Sequence, residues 1–176
     1  SRLAKNKIFG QKKGSIIAAE NKKLKRFVET KAIYKIAQKD IHKLSKRDRF
    51  IAGASLYMAE GNKTSNNAGF TNADPKAIKF MTKWFMEFAK VPKSKLRGSI
   101  WLHEGLSEKN AKAFWSKITG IPPGHFYKTY ISKVKSGSKK VRKNIHQYGV
   151  VSIRFSDIAK MRMILGWISA LLDDKI

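Results

Sequence analysis

Any fold of this chain has to place a surplus of 26 positive charges. Unpaired charge is too costly to bury, so 38 Lys and Arg against 12 Asp and Glu must lie largely at the surface. There they repel one another and oppose compaction. Apolar residues nevertheless make up 42% of the 176 residues and aromatics 11%, enough to bury a core. The charge is therefore carried by a folded surface, and the simplest partner for it is a polyanion such as nucleic acid. Solubility alone would need far less imbalance. The length suits one domain of ordinary size with a helical extension.

Several classes drop out. Cysteine is absent, which excludes disulfides and thiolate metal sites and is compatible with a reducing cytosol. The longest apolar stretch, Met163 to Leu172, is too short to span a bilayer, and no signal peptide is visible, so no membrane partner is expected. There is no P-loop, no G-x-S-x-G and no dinucleotide fingerprint, and the histidines lack metal-ligand spacing.

The first 49 residues carry 16 Lys or Arg and 4 Asp or Glu. Ile17, Leu24, Phe27, Val28, Tyr34, Ile36 and Ala37 recur at roughly helical spacing, predicting one or two long basic helices with a narrow stripe resting on the body. Residues 1–44 read as a basic helical extension and 45–176 as an α+β domain. Ser45-Lys46-Arg47-Asp48 is a capping-box pattern, opening a helix that ends at Gly61, a residue suited to a left-handed C-cap. A strand-like run lies around Gly69 to Thr71, and Asp74-Pro75 opens a helix with Ile78, Met81, Phe85 and Phe88 on one face. Arg97 to His103 reads as a strand. Ser107 caps a helix with Ala111, Phe114, Trp115 and Ile118, closed by Gly120 and Pro122-Pro123. Phe126 to Ser132 and Val150 to Phe155 read as strands, flanking a Lys/Ser/Gly-rich loop. Ser156-Asp157 starts a last helix with Ile158, Met161, Leu165, Ile168 and Leu172 inward. The predicted order is helix, two short strands, helix, strand, helix, two strands, helix. The tryptophans Trp84, Trp101, Trp115 and Trp167 are expected in the core rather than as base-stacking platforms.

Chemistry concentrates at the end of the helix over 46–60. Ala52, Ser55 and Ala59 fall on one face with Gly53 nearby, small enough for another helix to approach closely. Glu60 then stands where the helix's own partial negative charge repels a carboxylate. A metal ion or a role at a site would explain that placement; so would simple exposure, or pairing with Lys63. His103-Glu104 is either an acid-base or metal pair, or a strand-end histidine beside a turn residue, and the second reading is favoured.

The run L-Y-M-A-E-G, within Gly53 to Gly61, resembles the LAGLIDADG helix of homing endonucleases, with Glu60 at the catalytic acid position and Gly61 as the terminal glycine. G-F-T-N-A-D-P-K-A-I-K-F, from Gly69 to Phe80, resembles the strand and helix that follow. L-Y-M-A-E-G-N-K-T, F-T-N-A-D-P, L-H-E-G (Leu102 to Gly105), F-W-S-K-I-T-G-I-P (Phe114 to Pro122) and I-L-G-W-I (Ile164 to Ile168) are together similar to prokaryotic proteins that join a helix-turn-helix to a LAGLIDADG-like domain. The helix-turn-helix is not among these residues. Met58 stands where the motif has its first acid, and Ser55 where it has glycine.

The resemblance implies mixed helices with an antiparallel sheet saddle, a cytoplasmic, nucleoid-associated location of prokaryotic type, and double-stranded DNA as partner. Activity as a Mg²⁺-dependent site-specific DNA endonuclease, as a non-cleaving transcription regulator, or as an RNA- or ribosome-associated binder all stay open. The motif occurs once, so cleavage would require a homodimer through the 46–60 helix, packed at Ala52, Gly53, Ser55 and Ala59. Two copies of Glu60 would then hold Mg²⁺ with the scissile phosphates. Candidates for reading bases are Asn62, Lys63, Thr64, Asn66, Thr71, Asn72, Arg97, Lys128, Thr129, Lys133 and Arg154. Lys139, Lys140, Arg142 and Lys143 lie in an acid-free loop suited to phosphate contact.

Overall fold

A computed structural model of the chain describes residues 2–64, 67–133 and 146–173, with side chains from residue 13 onward. Two compact units are present, Ser1–Ser45 and Lys46–Ile176. The first holds a single helix, α1 (Arg2–Asp40), whose described side chains are all exposed. Ile17, Leu24, Phe27, Val28, Tyr34, Ile36 and Ala37 are among them. Apolar neighbours at adjacent positions, such as Ile16-Ile17 and Phe27-Val28, point about 100° apart and spread the apolar surface around the helix.

In the second unit the described elements run α2 (Lys46–Glu60), β1 (Asn67–Asn72), α3 (Pro75–Glu87), β2 (Arg97–His103), α4 (Glu108–Thr119), β3 (Tyr130–Ser132), β4 (Val150–Ser156) and α5 (Ile158–Leu172). Local chemistry sets several of these boundaries. Asp74 accepts the Lys76 N–H at 2.7 Å with Pro75 beside it, Ser107 accepts from Asn110, and Asp157 accepts from Lys160 at 3.0 Å. Gly120, at φ 70°, closes α4 in the left-handed conformation expected of it.

The four strands form one sheet in the order β1-β4-β2-β3. β4 is antiparallel to both β1 and β2, whereas β3 runs parallel to β2. The all-antiparallel expectation is thus corrected, because α4 carries the chain back along β2 and the next strand starts from the same end. A single strand, not two, lies between α2 and α3; Gly61 adds only an isolated bridge to Phe70. β3 is shorter than expected, since Phe126 meets Gly98 through a lone bridge before the ladder begins.

One sheet face is packed by helices. Ala68, Phe70, Ile100, Leu102, Val151, Ile153 and Phe155 meet Tyr57, Ile78, Met81, Trp84, Phe85, Ala111 and Trp115 in the core. The buried indoles are satisfied: Trp84 Nε1 donates to the Phe50 carbonyl at 3.0 Å and Trp115 Nε1 to that of Tyr148 at 2.7 Å. α5 buries Met161, Ile164 and Ile168, while Ile158 and Leu172 are exposed. Both exposed residues are the helix's ends, its first and its last residue, where the stripe runs out. Among the described residues no helix is long and apolar enough to cross a membrane.

Candidate nucleic-acid interface

Strand alternation sends every second side chain to the sheet face opposite this core. Across that face Arg154 of β4 stands directly opposite Arg97 of β2, with Gly69 of β1 on its other side. The next row is Thr71, Ser152 and Ser99; the row after it is Val150, Trp101 and Tyr130. None of the four strands contains Asp or Glu. Two like charges facing each other across a non-parallel pair destabilise the sheet, and no carboxylate on the strands offsets them.

The two arginines differ in how they are held. Arg97 donates from one guanidinium nitrogen to the carbonyls of Ser94 (2.6 Å) and Leu96 (2.9 Å), and lies 3.2 Å from His125 Nδ1. That anchors the group with its remaining N–H donors unspent. Arg154 is half-buried, with no hydrogen bond or ion pair from its side chain among the described residues. Both line an open depression of about 260 Å³ with Lys95, Tyr127, Phe155 and Ser156, and no acid is among these. The geometry suits a phosphate: one anchored guanidinium, a second beside it and a nearby ammonium, in a shallow hollow with no carboxylate in its lining.

Of the residues singled out from sequence, Thr71, Arg97 and Arg154 come together here. Lys128 and Lys133 are exposed on either side of β3. Thr129 is buried instead, donating to Glu108 Oε1 at 2.8 Å. That bond and Lys112, 2.8 Å away, hold the Glu108 carboxyl below the usual range, Lys112 contributing most. Asn72 is used locally, its side chain accepting the Asp74 N–H at 2.8 Å. Asn62 Oδ1 accepts from the Thr64 backbone, and Lys63 donates to the Gly61 carbonyl, both at 3.3 Å. Asn66, Lys139, Lys140, Arg142 and Lys143 lie outside the described residues.

Sequence reasoning passed over Ser99, Ser152, Lys95 and the aromatics of this face. Trp101 was expected in the core but is 38% exposed, because Ile100 and Leu102 take the inward positions and alternation turns Trp101 outward. The signal was present in the I-W-L run of β2. His103 ends β2 and Glu104 begins the turn after it, the Glu104 N–H donating to the Ser132 carbonyl.

At the end of α2, Glu60 is exposed and joins no ion pair among the described residues; Lys63 does not reach it. Gly61 is a glycine for space rather than handedness. Its φ is not positive, contrary to the C-cap expectation, but a Cβ there would lie 2.4 Å from the Tyr57 carbonyl oxygen. The Tyr57 hydroxyl donates to the Asn62 carbonyl at 2.6 Å, and burial pushes its pKa up. Gly53 faces inward, where a Cβ would meet the Trp84 ring at 2.0 Å, so its smallness serves α3 of the same chain. Ser55 and Ala59 are exposed and Ala52 is half-buried. Among the described residues no three His, Asp or Glu gather to hold a metal ion, and Glu60 alone does not make a Mg²⁺ site within one chain. A scan of protein-family models finds no match to this chain, and neither does a search of curated proteins.

Proposed function

We propose that this protein binds double-stranded DNA through the open face of its sheet. The observation that carries the reading is Arg97 opposite Arg154 on strands without a single carboxylate. That pairing costs stability in the free protein and becomes favourable once a phosphate lies between the two guanidiniums. The surplus of 26 charges supplies the long-range attraction, while Thr71 and Ser99 offer hydroxyls for base edges beside the arginines. DNA is preferred over double-stranded RNA because the B-form major groove admits β-strands, whereas the A-form groove is too deep and narrow for side chains to read.

A LAGLIDADG-like fold belongs to the same proposal. It is supported by the motif resemblance and by a helix ending Glu60-Gly61 that packs against a sheet with one free face. Cleavage would need two chains joined across Ala52, Ser55 and Ala59, so binding without cutting is the reading the single chain supports best.

The test is a salt titration of duplex binding by the full chain and by Arg154→Ala. The variant should bind more weakly, with the log–log salt slope reduced by about one. An unchanged affinity and slope would place the DNA elsewhere. Selection from a randomised duplex library with Mg²⁺ or EDTA then separates a reader of sequence from a nuclease.

A further inference from the structure

Most aromatic side chains of the second unit pack in two groups. Phe50, Tyr57, Trp84, Phe85, Phe88, Phe155 and Trp167 pack ring to ring in one part of the core, and Phe114, Trp115 and Tyr148 in another. Trp101, Tyr127 and Tyr130 join neither group; their rings have no aromatic or cationic partner among the described residues. They are 38%, 51% and 72% exposed. Trp101 and Tyr130 are paired neighbours on adjacent strands, so both stand on the sheet's open face, one row beyond Ser99 and two beyond the arginines. Successive rows lie about 7 Å apart, comparable to the reach of one nucleotide along an extended strand. Tyr127 borders the depression that Arg97 and Arg154 line.

We infer that Trp101 and Tyr130 form a stacking platform for unpaired bases, and that the preferred partner is DNA with a single-stranded segment beside its duplex. The inference rests on the proposed DNA reading and deepens it. An aromatic ring binds a base through the base's flat face, and in an intact duplex those faces are covered by neighbouring pairs. Rings alone would equally suit a protein partner, but this face carries two arginines on strands without an acid, and Lys128 flanks Tyr130. Charge and ring together fit a polymer of phosphates and bases. The arginines hold backbone where the strand is paired, and the rings receive bases where it is not.

The experiment compares binding of the full chain to a fully paired duplex and to the same duplex carrying a short unpaired gap. The wild type should prefer the gapped DNA. Trp101→Ala with Tyr130→Ala should remove the preference, weakening gapped binding about 10-fold and paired-duplex binding much less, measured where the variant is fully folded. Trp101→Phe, which keeps a ring, should retain most of the preference. Equal binding of both DNAs by the wild type, or a preference that survives the double substitution, overturns the platform and leaves duplex binding standing. Binding of neither DNA overturns the reading on which it rests. A double variant that shifts the sedimentation of the free chain would assign the rings to a protein contact instead.

Discussion

A methyl group on Gly61 would sit 2.6 Å from the Tyr57 ring as well as against its carbonyl, and neither atom can retreat: the ring is buried and the hydroxyl is tied to Asn62. Gly61→Ala should therefore lower stability by about 1–3 kcal/mol, read from urea unfolding. Glu60→Gln, one position earlier, alters an exposed side chain without an ion pair and should leave the midpoint where it is. A large loss on Glu60→Gln would mean the carboxylate has a structural duty that its exposure conceals. The contrast separates the two halves of the Glu60-Gly61 ending. Glycine there answers to packing within the chain, whereas the glutamate side chain is exposed.

At the scale of elements, Glu108 ties the first turn of α4 to Lys112 and to the segment entering β3. Its folded pKa lies below the ordinary glutamate value near 4.5. The contribution is therefore complete above that value and disappears as pH falls through the lower, folded one. Glu108→Gln should lower the neutral plateau of a urea-midpoint profile toward its acid end, flattening the limb below about 4.5; an unchanged plateau with a parallel limb would move the acid sensitivity elsewhere. Elements defined by local chemistry were legible in the sequence. Asp74-Pro75, Ser107 and Asp157 announce helix starts through side-chain acceptors within three residues, and the β-branched run of β4 marks its own strand. What depends on distant partners was not. The direction of β3 is set by how α4 returns the chain, and Phe126 makes only a lone bridge to Gly98, a residue distant in sequence. The site was half legible. Arg97 and Arg154 could be named individually, yet their meeting is a matter of strand register, and Trp101, expected in the core, is turned outward by the alternation of β2.

For the whole molecule, added salt should act in opposite directions on stability and on binding. Screening relaxes repulsion among 38 cations held near 12 anions, so the melting temperature of the free protein should rise from low to moderate NaCl. The same change weakens DNA binding by removing the gain from counterion release. A melting temperature that falls or stays level would mean that repulsion is already absorbed within the fold. The arginines facing each other across β2 and β4 carry this into the life of the protein. A chain whose folded state is relieved by bound anions opens more often when they are scarce, and opening is what proteases exploit. If the proposed DNA binding holds, survival would thus be coupled to occupancy, molecules seated on nucleic acid outlasting unseated ones.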